Sequence, residues 1–300
     1  MATLPDMSVV IASVNGRPYL EQCLAALGRQ GGNVTAEVIV ADCVGPTVTE
    51  FVAAEHPGVR LIAFGEPKSV PELRSAGILA SRGRLIAITE DHCIPEPDWY
   101  QAIVRAHADH ANPAIGGAVD NAATDRIVDW AVYFCEYSNF ISPVPEGVVH
   151  DLPGPNVSYK RTALDEMADL IKEGYWETFL HYRLEERGYQ LWSDPQVRVL
   201  HKKHFGFRAF FAERFHYGRA FAGHRNEFSS LAKRLVYLAL SPLLPPALIV
   251  RISRRVLSRK RHLGRFITAL PVILLFMLAW AAGEWFGYAF GPGKSALQLT

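Results

Sequence analysis

The feature that most constrains the fold is a series of four short apolar runs between residues 8 and 89, which helical patterns separate. The first run, residues 8–13, is nearly continuous in apolar or small side chains, which is typical of a strand buried on both faces. Three more strand-like runs follow at residues 37–41, 59–64 and 84–89. Strands that alternate with helices are joined by right-handed crossovers and form a parallel sheet covered on both faces. We therefore expect an α/β fold with a mostly parallel sheet flanked by helices.

Later segments continue the pattern less regularly and complete the globular part of the chain. We expect strands at 114–119 and 156–160, helices near 126–137 and 176–187, and two short strands at 190–193 and 196–201. The whole chain has a formal charge of only +1, which argues against a nucleic-acid partner. Its four cysteines show no CxxC spacing, so we expect reduced thiols in the cytosol rather than disulfides or structural zinc.

The character of the chain changes after residue 225. We expect a catalytic domain over residues 1–225 and a membrane-associated helical region over 226–300. Residues 235–250 are uncharged but short and hold three prolines, so they favour an interfacial or re-entrant element. Residues 266–290 carry one charge, Glu284, and are long enough to span a bilayer.

The segment between these two apolar stretches is basic. Residues 251–265 contain seven Lys or Arg and no acid, which favours the cytosolic side. The start of the chain lacks the features of a signal peptide. We therefore expect attachment to the cytoplasmic face of the cell membrane, with membrane lipids as partners. The alternative is that both segments are core or oligomer-interface helices of a soluble protein, and the oligomeric state stays open.

Polar side chains follow three of the early strands, at the edge where ligands of open α/β sheets bind. They are Asn15, Asp42 and the group Glu90-Asp91-His92. Two acids and a histidine at the end of a buried strand repel one another or resist burial unless a cation compensates them. A divalent ion, Mn²⁺ or Mg²⁺, supplies that compensation. The alternative is a solvated turn whose acid caps the next helix.

The order of segments resembles the family 2 glycosyltransferases, which have a GT-A fold. The resemblance covers roughly residues 7–205 and is carried by these pieces: SVVIASVNGRPYLEQCLAAL, EVIVAD, RSAGILASRGRLIAITEDHCIPEPDWY, GPNVSYKRTAL and WETFLHYRLEERG. It implies transfer of a sugar from a nucleotide-diphospho-sugar. The acceptor is expected to be a lipid-linked or surface glycan.

The resemblance also implies a donor site and a metal site. The donor site comprises Ser13, Asn15, Asp42, Arg74, Glu90, Asp91 and Asn156. The metal ligands are Asp91, His92 and His201. The family usually has a carboxylate where His92 stands, and imidazole is a good ligand for Mn²⁺ but a poor one for Mg²⁺.

On the acceptor side, Glu177 is the candidate catalytic base. It lies in the segment Trp176-Glu177-Thr178, which resembles the region of the family's catalytic base. An inverting transfer needs one carboxylate to take the proton of the acceptor hydroxyl, and a well-placed base is worth ~10²–10⁴-fold in rate. Glu177 has an alternative role as a first-turn acid that favours the helix dipole. His204 is a weaker candidate for the metal or the diphosphate than His201.

An aromatic segment rich in arginine, residues 207–219, follows the expected strands. Its composition also occurs in RNA-binding surfaces, but we expect an amphipathic helix at the membrane. Three arginines in this segment or just after it are candidates for binding a pyrophosphate or lipid phosphate: Arg214, Arg219 and Arg225. Two further alternatives are a catalytically silent relative that acts as a membrane-bound partner, and a nucleotidyltransferase. The absence of a Gly-rich phosphate loop after the first strand disfavours the latter.

Overall fold

The computed structural model describes residues 4–174, 177–227 and 229–298. Trp176, which precedes the candidate base, lies outside them. The chain divides into two compact units, the first made of Met1–Ala122 and Ser142–Lys202 and the second of Ala123–Ile141 and Lys203–Thr300. The expected domain boundary at residue 225 stays a prediction, and residues 203–225 belong to the second compact unit.

The helices within the described residues are α1 Arg17–Gly28, α2 Pro46–Glu55, α3 Val70–Ala80, α4 Trp99–Asp109, α5 Ile127–Tyr137, α6 Arg161–Asp165, α7 Ala168–Glu173, α8 Glu177–Glu186, α9 Phe207–Glu227, α10 Leu231–Leu240, α11 Leu244–Arg259 and α12 Leu263–Phe290. The strands are β1 Met7–Ser13, β2 Ala36–Asp42, β3 Arg60–Ala63, β4 Leu85–Glu90, β5 Cys93–Pro95, β6 Ala114–Asn121, β7 Gly147–Val149, β8 Val157–Lys160 and β9 Leu191–His201. Short 3-10 helices cover Ser241–Leu243 and Ser295–Gln298.

The strands of the first unit form one nine-stranded sheet within the described residues. Its order is β3-β2-β1-β4-β8-β6-β9-β5, and β7 pairs with β9. The first four strands are parallel, and every residue of β1 is buried between its neighbours and the covering helices. This confirms the expected α/β fold with flanking helices.

The second half of the sheet is mixed. β8 runs antiparallel to both β4 and β6, whereas β6 and β9 are parallel. The expected short strands at 190–193 and 196–201 form one strand, β9, with an irregularity opposite Gly117. A Cβ on Gly117 would stand 1.9 Å from the Val197 carbonyl oxygen, so the close approach of these two strands requires glycine here. The prediction of two separate strands was therefore wrong.

The second unit consists of α5 and α9–α12. Along α12, glycines allow its backbone to approach that of α9, since a Cβ on Gly283 would stand 2.0 Å from the Phe215 carbonyl oxygen. Conversely, a Cβ on Gly218 of α9 would stand 2.3 Å from the Trp280 carbonyl oxygen. A buried cluster rich in aromatic residues from α5, α9, α11 and α12 forms the core of this unit.

The three candidate phosphate-binding arginines of α9 have partners within the second unit. Arg214 pairs with Glu136 at 2.9 Å, Arg219 donates to the Gly291 carbonyl oxygen, and Arg225 donates to the Tyr288 hydroxyl. Within the part of the chain that the structure describes, two helical stretches are long and apolar enough to cross a membrane by length and composition alone: Leu231–Arg259 and Leu263–Phe290. The prolines of the first stretch occupy the 3-10 turn and the first turn of α11, where a missing N–H costs little.

Candidate active site

The predicted donor residues meet at the carboxyl edge of β1, β2 and β4. In the parallel register, Ser13 pairs with Asp42 and Ala12 pairs with Glu90, which brings the ends of three strands to one level. Ser13 Oγ donates a hydrogen bond of 2.7 Å to Asp42 Oδ1. The other oxygen of Asp42 accepts hydrogen bonds from the backbone N–H groups of Val44 and Gly45, which precede α2. Asp42 therefore fixes the β2–α2 loop beside the end of β1.

Asp91 is fully buried and organises the loop after β1. Its Oδ2 accepts hydrogen bonds from the Val14 and Asn15 backbone N–H groups at 2.9 and 2.7 Å. Its Oδ1 accepts one from Asn15 Nδ2 at 2.7 Å and lies 2.9 Å from His92 Nδ1. Three donors, two of them backbone N–H groups, therefore satisfy this buried side chain. Asp91 thus connects the loop after β1 to the loop after β4.

His92, His201 and Glu90 converge on one point. His92 Nε2 lies 2.9 Å from His201 Nε2 and 3.2 Å from Glu90 Oε2. His201, the last residue of β9, reaches this point because it pairs with Cys93 of β5 in the antiparallel register. Two imidazole nitrogens at this distance require a proton or a cation between them. This donor set of two imidazoles and a carboxylate fits a Mn²⁺-like ion.

Electrostatics at this point favour charge on both the acid and the histidine. Burial opposes the imidazolium of His92, but hydrogen bonds from it to Asp91 and Glu90 outweigh burial and raise the pKa of His92 to about 9. Burial likewise opposes ionisation of Glu90, but the hydrogen bond from His92, together with the charges of His92 and Arg74, holds the pKa of that carboxyl far below its usual value. A cation at this point would therefore replace the proton of His92.

Cys93 also belongs to this cluster by distance. The ligand atoms of Glu90, His92 and Cys93 all lie within 4.8 Å of one another. Burial raises the pKa of the Cys93 thiol well above its usual value, which disfavours the thiolate. His201 is the better additional donor for a hard or borderline divalent ion.

Arg74 connects this cluster to the candidate base. It lies on the buried side of α3, its Nη2 donates 2.7 Å to Glu90 Oε1, and its Nη1 donates to Glu177 Oε2. Its side chain is only 6% exposed, and those of both acids are 16% exposed. A continuous chain of charged contacts therefore runs from Glu177 through Arg74 and Glu90 to His92.

Glu177 begins α8 and packs against Gly154, a contact that the sequence did not predict. A Cβ on Gly154 would stand 2.3 Å from Glu177 Oε1 and 3.0 Å from Arg74 Nη2. Only glycine leaves room for the carboxylate in this position. The sequence Pro153-Gly154-Pro155 indicates a rigid loop, but nothing in it indicates a contact with a residue so much later in the chain.

Two of the predicted candidates make their contacts elsewhere. Asn156 is fully buried, accepts from Trp99 Nε1 at 2.8 Å and donates to the carbonyl oxygens of Ala118 and Val197. These contacts tie α4, β6 and β9 together. His204 lies in the second unit, where its Nδ1 is 2.8 Å from Asp129 Oδ2.

Comparison with known proteins gives this edge of the sheet a context. Residues 8–168 match the family described as Glycosyl transferase family 2. Over 121 residues the chain is 36% identical to the Succinoglycan biosynthesis protein ExoO of Rhizobium meliloti (strain 1021). This alignment spans 39% of the chain and only 33% of that relative.

Solved structures resemble the chain in fold. The mannosyltransferase PcManGT from Pyrobaculum calidifontis, in complex with GDP-Man and Mn²⁺, superposes with a TM-score of 0.57 at 15% identity. The superposition covers 94% of this chain and 87% of that one. GalNAc-T7 with UDP, GalNAc and Mn²⁺ has a TM-score of 0.51 at 15% identity, over 67% of this chain and 44% of its own. At this identity the likeness identifies the fold alone, which is that of GT-A glycosyltransferases.

Proposed function

The chain belongs to the family 2 glycosyltransferases, and from this premise we propose that it transfers a sugar from a nucleotide-diphospho-sugar to a hydroxyl acceptor. The observation that supports this most directly is the convergence of His92, His201 and Glu90 beyond the end of β4. The loop that Asp91 organises borders the same point. The loop that Asp42 organises lies at the same edge of the sheet, where a nucleotide and its diphosphate would bind.

We propose that His92, His201 and Glu90 hold a divalent metal, because their Nε2, Nε2 and Oε2 atoms converge. The predicted ligand Asp91 instead contacts Nδ1 of His92 and the backbone after β1, so we propose that it positions His92. A bound Mn²⁺ or Mg²⁺ would balance the charge that develops on the departing diphosphate. The two imidazoles favour Mn²⁺ over Mg²⁺. Ser13, Asn15 and Asp42 are the proposed contacts of the base and ribose, by their place in the family pattern.

Glu177 is the proposed catalytic base. In an inverting transfer its carboxylate accepts the proton of the acceptor hydroxyl while the hydroxyl oxygen bonds to the anomeric carbon. The bond from that carbon to the diphosphate oxygen breaks in the same step. The ion pair with Arg74 and the contact with Gly154 support this role, because they hold the carboxylate in one place.

The proposed acceptor is a lipid-linked or surface glycan, and the proposed location is the cytoplasmic face of the cell membrane. The apolar stretches of α10–α12 support membrane attachment. The name of the ExoO relative, a succinoglycan biosynthesis protein, supports a glycan acceptor.

Donor hydrolysis tests the proposal without knowledge of the acceptor. Purified protein would be incubated with UDP-, GDP- and dTDP-sugars, each with Mn²⁺ or Mg²⁺, and release of nucleoside diphosphate measured. We expect turnover of one donor class with Mn²⁺, and loss of that turnover in Glu177→Gln with the fold intact. No binding and no turnover of any of these donors would exclude the proposed activity.

A further inference from the structure

The second unit exposes a long apolar face on α12. Between residues 266 and 290 all exposed side chains are uncharged, and they recur every three or four residues along one side of the helix. The large ones are Ile267, Leu274, Leu275, Leu278, Trp285, Phe286 and Phe290. From the first to the last of these the helix extends roughly 35 Å. A continuous apolar stripe of this length on a water-exposed surface indicates a covering partner.

The neighbouring helices α10 and α11 extend the same kind of surface. The exposed residues between 235 and 250 are also uncharged, and Leu235, Leu240 and Leu243 are each at least half exposed. Lys233 and Arg234 precede this stretch, and the seven cations of residues 251–265 follow it without an acid. An apolar face bordered by cations is complementary to an anionic lipid leaflet.

The helix α9, which packs against α12, carries arginines at the level of the centre of α12. Phe276 is the central contact, since the rings of Phe207 and Phe210 lie 5.4 and 4.7 Å from it. Arg208, the next residue after Phe207, is exposed. Further along α9, the guanidinium of Arg214 lies 5.4 Å from the Trp280 ring.

These positions conflict with a helix that crosses the bilayer. If α12 stood across the membrane, Phe276 would lie near the midplane, because it is the fourteenth of 28 helical residues. The exposed Arg208 would then lie about 15 Å from either surface, beyond the reach of its side chain. An exposed charge at that depth is strongly unfavourable.

Resting on the proposed membrane attachment, we propose that α12 lies in the plane of the membrane, with its apolar face in one leaflet of an anionic bilayer. In this arrangement the exposed Arg208 of α9 stays in water or among headgroups. Both ends of α12 then remain on the same side of the membrane.

Cysteine accessibility distinguishes this arrangement from a membrane span. Arg261→Cys and Lys294→Cys place a thiol before and after α12, and the parent chain gives the background of its four native cysteines. The variants would be expressed in a Gram-negative host and treated with a membrane-impermeant maleimide, in spheroplasts and in inverted inner-membrane vesicles. We expect both thiols to react in inverted vesicles and neither in spheroplasts. Reaction of one thiol in spheroplasts and the other in inverted vesicles would overturn the proposal.

A second measurement tests the apolar face itself. Ile267→Glu places a charge on that face, whereas the control Leu79→Glu places one at an exposed position of α3 in the first unit. Binding would be measured by flotation with phosphatidylcholine vesicles, with and without phosphatidylglycerol. We expect Ile267→Glu to weaken binding at least about tenfold and Leu79→Glu to leave it unchanged. Equal binding of both variants would contradict the proposal that the apolar face of α12 enters the leaflet. A parent chain that binds no vesicle would refute membrane attachment, whereas donor turnover tests the proposed activity separately.

Discussion

Gly154→Ala tests whether the position of Glu177 matters for catalysis. The added Cβ would stand 2.3 Å from Glu177 Oε1, whereas ordinary contact begins at 3.4 Å, so the carboxylate must withdraw by about 1 Å. A displacement of about 1 Å at a reacting group can cost ~10²-fold in rate. We therefore expect kcat to fall ~10²-fold, about 2.7 kcal/mol of transition-state stabilisation.

The assay separates this effect from donor binding and from folding. kcat would be measured by release of nucleoside diphosphate, the donor Kd by titration calorimetry, and the fold by thermal unfolding. Gly154 does not have a positive φ, so alanine is compatible with its backbone. Gly31→Ala is the matched control, because a Cβ there meets nothing within 4 Å. An unchanged kcat in Gly154→Ala, with donor affinity and fold intact, would refute the assignment of Glu177 as a positioned base.

Three further outcomes follow from the same contacts. Arg74→Gln leaves Glu90 and Glu177 without the cation that they share in a largely buried place. We therefore expect a loss of about 3 kcal/mol in the free energy of unfolding by denaturant titration, and no loss would show that the pairs are not formed. A metal must displace the proton of His92, whose pKa is raised to about 9 by the two neighbouring carboxylates. The affinity for Mn²⁺, measured by calorimetry, should therefore rise up to about tenfold per pH unit between pH 7 and pH 9. An affinity that does not change with pH would contradict this. Gly283→Ala forces its Cβ against the Phe215 carbonyl oxygen, so we expect about 1–3 kcal/mol lower stability by thermal unfolding in detergent. The control Gly264→Ala should leave the stability unchanged. Equal stability of the two variants would contradict the close packing of α9 and α12.

The parallel half of the sheet could be predicted because its signals are local. Apolar runs followed directly by polar residues marked the ends of β1, β2 and β4, and parallel pairing then necessarily brought Asp42 and Asp91 to one edge. The strands that were missed, β5 and β7, are three residues long and too short for a periodic pattern.

The contacts on which the proposed chemistry depends were not visible in the sequence because they join distant residues. Arg74 and Glu177 are 103 positions apart, and their pairing depends on how α3 and α8 pack. Gly154 has no chemical signal of its own, and its importance comes from the carboxylate beside it. Sequence patterns predicted the types of residue at the candidate site. Which of these residues contact one another could be seen only in the folded structure.

Metal-dependent binding of a nucleoside diphosphate tests the central claim most directly. Calorimetry with UDP, GDP and dTDP would be run with Mn²⁺ and with a chelator, on the parent chain and on His92→Ala and His201→Ala. We expect one diphosphate to bind with Mn²⁺, and each substitution to weaken that binding at least about tenfold, because each removes a donor from the point where the two imidazoles meet. Equally tight binding with the chelator, or in both variants, would contradict a metal-diphosphate site at the end of β4.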